Sequence, residues 1–187
     1  MARPCTRVFA AVALLVSTTS SAPRAAPPQA RGKDELAVRA LFPGADRIEV
    51  RDVLLTDEMV SRIEALARAR VKERLVTFYV ASAGGAVMGY AVIHGHVVRT
   101  KRETFAIAFE PDGRIRKITV LAFLEPEEYK PPERWLSRFE GKGAQDRLSP
   151  GQDIPPITGA TLTARGIAEE SRWLLEALRE AVPEARR

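Results

Sequence analysis

The chain has 187 residues, a single cysteine and a formal net charge of +5 at pH 7. Basic and acidic residues are mixed along most of its length, without the single-sign basic blocks typical of nucleic-acid-binding proteins. Nucleic acid is therefore not a predicted partner. Because Cys5 lies in the first few residues, disulfides, thiolate metal sites and cysteine nucleophiles are excluded from the remainder. The length suits one domain with its own core.

The N-terminal segment has the layout of a secretory signal peptide. Arg3 and Arg7 form a positive region, residues 8–16 are apolar, and small residues follow at a cleavage site that predicts removal of residues 1–22. The apolar run is shorter than the roughly 20 residues that span a membrane, although an uncleaved anchor is the alternative. We therefore expect an exported protein, periplasmic or membrane-associated on the extracytoplasmic side. Residues 23–33, rich in Pro and Ala, are interpreted as a linker.

The N-terminal part of the domain, residues 34–103, begins with a predicted helix, strand and second helix. A short helix is predicted over residues 34–41 and a strand over residues 46–55. A second helix over residues 57–70 would have Thr56 as its N-cap. Its apolar face is predicted to contain Met59, Ile63, Leu66 and Ala67.

Four β-rich runs follow and predict two hairpins. The runs cover residues 75–82, 86–98, 104–109 and 114–123. Gly84 and Gly85 separate the first two, and Glu110-Pro111-Asp112-Gly113 has turn chemistry between the last two. Four consecutive strands predict an antiparallel sheet.

The C-terminal part is predicted to cover this sheet with helices. A short helix over residues 133–139 precedes a long loop, and an amphipathic helix runs from about Leu162 to Val182. The predicted buried face of this helix contains Ile167, Ser171, Leu174, Leu175, Leu178 and Val182. The fold class is therefore predicted to be α+β, with an antiparallel sheet packed by helices and a C-terminal helix that follows a loop.

Three threonines are crowded where this helix is predicted to start. The sequence there, residues 158–163, is Thr158-Gly159-Ala160-Thr161-Leu162-Thr163, which we call the threonine loop. Free N–H groups at a helix N-terminus favour a phosphate, and the small residues leave room for close approach. The alternative is that Thr161 or Thr163 only caps the helix.

The threonine loop resembles the [Ser/Thr]-Gly-Ala-Thr motif of the FMN-binding domain family, which occurs in flavin subunits of Rnf complexes and of the sodium-translocating NADH:quinone reductase. The resemblance covers residues 104–187, and residues 105–126 are similar to the family's strand, Asp-Gly turn and second strand. It implies that Thr161 carries FMN through a phosphoester, attached after export by a magnesium-using FAD:protein FMN transferase. It also implies a cofactor-binding loop formed by Thr158, Gly159, Ala160, Leu162 and Thr163.

The function that the resemblance implies is electron relay between redox partner proteins, some of them membrane-bound, with no catalytic residue of the chain's own. Two alternatives remain open. One is a flavin-dependent reductase of a small acceptor, and the other is a flavin-free extracytoplasmic binding or regulatory module that uses Thr161 as a cap.

Two features differ from the family pattern. Pro155 stands where members usually have an aspartate before the motif, and Asp153 lies two residues earlier. After the second strand, Glu125-Pro126-Glu127 lacks the threonine and glycine of the Glu-Thr-Pro-Gly run found in larger members. The resemblance therefore assigns no contacts to the flavin ring.

Other residues with suitable chemistry have simpler interpretations. His94 and His96 share one strand face but have no evident third ligand, so surface or cross-strand positions are expected and no metal is predicted. Trp135 and Trp173 could stack on a flavin, but packing is the expected role, and Trp173 is predicted to be partly exposed. The acidic run 125–128 is interpreted as a solvated loop.

Overall fold

The structure, a computed structural model, describes residues 28–186. The predicted signal peptide lies outside the described residues, as does the first part of the predicted linker. The first helix, α1, spans Pro28–Leu41 and so includes the end of that linker. Pro28 favours an earlier start than predicted, because proline has a helical φ and needs no hydrogen bond at a first helical position.

The centre of the fold is a five-stranded antiparallel sheet. Its strands are β1 (Arg47–Leu54), β2 (Leu75–Ala83), β3 (Ala86–Val97), β4 (Arg102–Phe109) and β5 (Ile115–Phe123). They lie in the order β1-β2-β3-β4-β5, so each strand pairs with its neighbour in sequence. The predicted α+β fold with an antiparallel sheet is confirmed, and the strand that precedes the two predicted hairpins joins the same sheet.

The turns between the strands have the predicted chemistry. Gly84 and Gly85 connect β2 to β3 with φ values of 57° and 81°, and Gly113 connects β4 to β5 with a φ of 82°. Positive φ values are accessible to glycine at little cost, because it has no Cβ. The position of both turns is therefore set by local sequence.

Three further helices follow the predicted pattern. They are α2 (Asp57–Ala67), α3 (Glu133–Leu136) and α4 (Thr161–Ala181). Thr56 is the N-cap of α2, and its hydroxyl accepts a 3.2 Å hydrogen bond from the Met59 N–H. A 3₁₀ turn extends α3 to Phe139.

Helices cover both faces of the sheet. On the larger face, α2, α3 and α4 pack over Phe78, Phe105 and Ile107. The opposite face of the sheet is covered by α1. Val38 of α1 and Phe42, just after it, pack against strand residues that include Tyr79. Within residues 28–186, no helix is both long and apolar enough to cross a membrane.

Two predicted exposures on these helices are wrong. Trp173 has no exposed surface, because its ring packs edge-on against His94 of β3, so α4 buries more than the predicted stripe. Leu66 is 62% exposed although it belongs to the apolar stripe of α2, in which Ile63 and Ala67 are buried. Periodicity alone does not show how wide a buried face will be.

Candidate functional site

The threonine loop leads directly into α4. Thr161 is the first helical residue, and Ala160, which precedes it, forms no side-chain cap. The interpretation of Thr161 or Thr163 as a helix cap is therefore wrong: the N-cap position belongs to Ala160, whose side chain has no acceptor atom. The N–H groups of the first turn are left without a side-chain partner from the cap.

The three threonines have different environments. Thr158 and Thr161 are exposed, whereas Thr163 is only 1% exposed. The Thr161 hydroxyl has one contact, 3.5 Å from the Ile157 carbonyl oxygen, which is at the outer limit of a hydrogen bond. Gly159 has a φ of 85°, a backbone conformation that favours glycine. The structure therefore brings the Thr161 hydroxyl to the surface beside a glycine turn and keeps Thr163 inside.

A depression of about 120 Å³ lies against this helix start. Residues 159–163 form one side of it, and Arg99 and Tyr129 form the other. The Arg99 guanidinium carbon lies 5.1 Å from the centre of the Tyr129 ring, a cation–π contact. No sequence pattern groups these two residues with Thr161, because Arg99 comes from the β3–β4 connection and Tyr129 from a short 3₁₀ turn.

Glu125 fixes the loop that carries Arg99. Its Oε1 accepts hydrogen bonds from the backbone N–H groups of Arg99, Thr100 and Lys101, at 3.2, 2.7 and 2.8 Å. These backbone bonds lower the pKa of Glu125, first of all the one from Thr100. The prediction of a solvated acidic loop is therefore wrong for Glu125, whereas Glu127 and Glu128 are exposed.

The segment before the threonine loop is held by two further contacts. The Asp153 carboxylate accepts hydrogen bonds from the N–H groups of Leu148 and Ser149 and lies 3.3 Å from Lys142 Nζ. Burial opposes ionisation of Asp153, but these partners outweigh it and lower its pKa. The Trp135 indole N–H donates to the Pro155 carbonyl at 2.6 Å. Trp135 is buried, so its ring is a packing residue, as expected, and has no open face for a flavin.

His94 belongs to a buried ionic cluster under α4. Its Nε2 lies 3.0 Å from Glu170 Oε2, and Glu170 also receives hydrogen bonds from Lys72 and from the Trp173 indole, each at 2.5 Å. Burial opposes ionisation of Glu170, but His94, Lys72 and Trp173 outweigh it and lower its pKa to about 2. The carboxylate is therefore charged and fully paired at neutral pH.

His96 faces Glu103 across the sheet. The two residues are directly opposite each other in the β3–β4 register, so the cross-strand position is confirmed for His96, but neither histidine is at the surface. Within the described chain, no group of three or more His, Cys, Asp or Glu residues could hold a metal ion. The histidines therefore belong to the interior of the domain.

Comparison with known proteins identifies no relative: no protein-family model matches the chain, and no curated protein matches it significantly. The function is therefore inferred from the threonine loop and from the residues that surround it.

Proposed function

We propose that the protein is an exported flavoprotein that carries FMN through a phosphoester to Thr161 and relays electrons between redox partners. The observation that carries this proposal is the position of the Thr161 hydroxyl. It is exposed at an uncapped helix N-terminus and lines the same depression as a guanidinium group and an aromatic ring. The resemblance of the threonine loop to the FMN-binding domain motif supports the identity of the group.

The surroundings of Thr161 fit a phosphate. The first-turn N–H groups of α4 have no side-chain cap, and the positive end of the helix dipole favours an anion there. Arg99, across the depression, adds a full positive charge. The contact with Tyr129 and the three hydrogen bonds to Glu125 restrict where that charge can lie. In this proposal Arg99 and the helix N–H groups bind the phosphate, and Thr161 is the attachment point.

The depression is too small to enclose a whole FMN. Pockets that bury small ligands usually measure about 300 to 1,000 Å³, whereas this one measures about 120 Å³. The phosphate end would occupy it, and the isoalloxazine ring would lie outside, near Tyr129 and the exposed side chain of Leu162. The flavin would supply reversible electron transfer when bound. An exposed ring favours exchange with a docked redox protein over a reductase with an enclosed substrate pocket.

Maturation and partners follow from the same proposal. Attachment would be made by an FAD:protein FMN transferase on the extracytoplasmic side, after a signal peptide had directed export. A covalent link retains the cofactor where free FMN could not readily be replaced. The redox partners would be proteins of the same compartment, including membrane-bound ones.

The flavin-free alternative loses part of its support in this geometry. A binding or regulatory module was expected to use Thr161 as a helix cap, but Thr161 occupies the first helical position and caps nothing. An exposed threonine that does not cap its helix is better explained as a site of modification than as a residue that stabilises the fold.

The test is the intact mass of the protein coexpressed with an FMN transferase and exported. We expect a gain equal to FMN less one water, and peptide mapping should locate it on Thr161. Thr161→Ala should abolish the gain. Ser61→Ala is the control, because it removes an exposed hydroxyl of α2, outside the threonine loop, and should retain the flavin. An unmodified mass beside a positive transferase control, or flavin retained by Thr161→Ala, would contradict the proposal.

A further inference from the structure

A second cavity lies far along α4 from the threonine loop. It measures about 360 Å³ and is formed by the end of α2, the loop segment 143–152 and the side of α4 that carries Arg172. This volume falls in the range of about 300 to 1,000 Å³ that is typical of small-molecule sites. Arg172 is eleven residues from Thr161, about 16 Å along the helix at 1.5 Å per residue. The cavity is therefore separate from the depression described above.

Strained backbone is concentrated at this cavity. Among residues 28–186, the non-glycine residues with positive φ are Arg68, at 51°, and Leu148, at 47°, and both line it. The left-handed conformation is unfavourable for residues that have a Cβ, and such strain clusters at functional sites. Arg68 ends α2, at a position where glycine is the usual residue. Arg68 therefore lines the cavity in a conformation that costs backbone energy.

The charge lining the cavity has a defined balance. Arg172 is half-buried and donates to the backbone carbonyls of Ala67, at 3.0 Å, and Leu148, at 2.9 Å. Because both acceptors are neutral, these hydrogen bonds do not compensate the positive charge of Arg172. Burial lowers the pKa of Arg172, against the opposing effect of Glu169 and Asp153. The charged residues that line the cavity are Arg68, Arg147, Arg172, Asp146 and Glu176. Their formal sum is one positive charge, which matches a monoanion better than a phosphate dianion.

The cavity also has an apolar part. Leu66 and Leu175 line it, and Leu66 is the apolar residue of α2 that the fold leaves 62% exposed. An isolated exposed leucine needs no explanation, but this one lines the same cavity as three arginines. A ligand with one anionic end and one apolar end would contact both kinds of surface.

We propose that this cavity binds a small organic monocarboxylate, with the carboxylate at Arg147 and Arg172 and the apolar part against Leu66 and Leu175. Arginine suits this role because its planar guanidinium can donate two parallel hydrogen bonds to a carboxylate. The strained conformation at Arg68 places a third cation at the same cavity. The site is independent of whether FMN is attached at Thr161.

The test is an NMR titration of the isotope-labelled full chain with sodium benzoate at constant ionic strength. Benzoate should cause saturable shifts in the amide signals of Arg68 and of residues 143–149. Benzamide, which has the same shape without the charge, should not saturate them. Inorganic phosphate at pH 8 should bind more weakly than benzoate. Absence of saturation with benzoate, or tighter binding of phosphate, would overturn the monocarboxylate assignment.

Variants separate the cavity from general charge effects. Arg147→Gln should weaken benzoate binding about tenfold, and Arg138→Gln, an exposed arginine that does not line the cavity, should leave it unchanged. Arg68→Gly should raise the denaturation midpoint, because glycine tolerates this φ, and should also weaken binding. Equal effects of Arg147→Gln and Arg138→Gln, or an Arg68→Gly variant that gains stability and binds as the parent does, would contradict the proposal.

Discussion

His96 Nε2 lies 3.6 Å from Glu103 Oε2, and neither the imidazole nor the carboxylate has a hydrogen-bond partner among the described residues. Burial raises the pKa of Glu103 to about 7. Burial also lowers the pKa of His96 to about 4; Glu170 opposes this shift, while Lys72, His94 and Arg102 add to it. Both members of the pair therefore favour their neutral forms inside the domain.

The two pKa shifts make the free energy of unfolding depend on pH in opposite directions. The pKa of Glu103 is about 7 in the folded state, against 4.5 for the free side chain. Its contribution to the free energy of unfolding is therefore lost as pH rises from 4.5 to 7. The pKa of His96 is about 4 in the folded state, against 6.5 for the free side chain. Its contribution to the free energy of unfolding is therefore lost as pH falls from 6.5 to 4. Each effect is on the order of 3 kcal/mol. We expect the two to cancel largely between pH 4.5 and 6.5.

Single variants of the pair should expose each slope. In Glu103→Gln only His96 remains, so the free energy of unfolding should rise with pH from 4 to 6.5 by a few kcal/mol relative to the parent. In His96→Gln it should fall as pH rises from 4.5 to 7. Urea unfolding at a series of pH values measures both. Parallel pH profiles in the parent and in Glu103→Gln would show that the pair does not titrate in this way.

Glu125→Gln should loosen the loop that carries Arg99. A neutral amide oxygen accepts the three backbone N–H groups more weakly than a carboxylate does, so the amides of residues 99–101 should exchange faster with solvent. Acid should have the same effect, because the lowered pKa means that these bonds are lost as pH falls through it. Amide exchange measured by NMR checks both expectations. Glu127→Gln, an exposed neighbour, is the control, and equal protection in the two variants would contradict the role of Glu125.

At Gly166, α4 lies close against the His96 ring. A Cβ at this position would lie 2.5 Å from His96 Nε2, whereas a Cβ at Gly32 in α1 would meet nothing within 4 Å. Gly32→Ala should therefore stabilise the protein by about 0.5 to 1 kcal/mol through helix propensity alone. Gly166→Ala should instead destabilise it, and adding His96→Ala should remove much of that penalty. Thermal unfolding of the three variants decides, and a stabilising Gly166→Ala would refute the contact.

Thr56 and Thr161 both begin helices, but only Thr56 acts as a cap. Thr56→Ala removes the acceptor for the Met59 N–H and should cost about 1 kcal/mol of unfolding free energy. Thr161→Ala removes a hydroxyl with one contact at 3.5 Å, and its effect should be within about 0.5 kcal/mol. Chemical denaturation of the unmodified proteins measures both. A large loss in Thr161→Ala would mean that the hydroxyl has a structural role after all.

Features that depend on neighbouring residues were predictable from the sequence. The hairpins follow from Gly84-Gly85 and from the turn ending at Gly113, and the cap of α2 follows from Thr56, because each is decided within a few residues. The start of α4 was predicted within one residue for the same reason. Periodicity also identified the buried stripe of α4.

Features that depend on distant contacts were not predictable. The complete burial of Trp173 depends on its contact with His94, which lies on β3. Glu125 acts on a loop about 25 residues earlier in the chain, and no local pattern signals that bond. The same holds for the candidate site, where the threonine motif indicated Thr161 but only the fold brings Arg99 and Tyr129 beside it.

The order of elements has a consequence for how the chain acquires its structure. Every strand pairs with the strand next to it in sequence, and β2 to β5 can form by successive local hairpins, which is a fast topology. The helix that covers much of its larger face, α4, spans Thr161–Ala181 and is synthesised after all five strands and after α1, α2 and α3. Until those residues emerge, the aromatic side chains of β2 and β4 lack their cover and are open to aggregation or to chaperones. Completion of this domain therefore depends on α4, and we expect a chain truncated before Thr161 to aggregate.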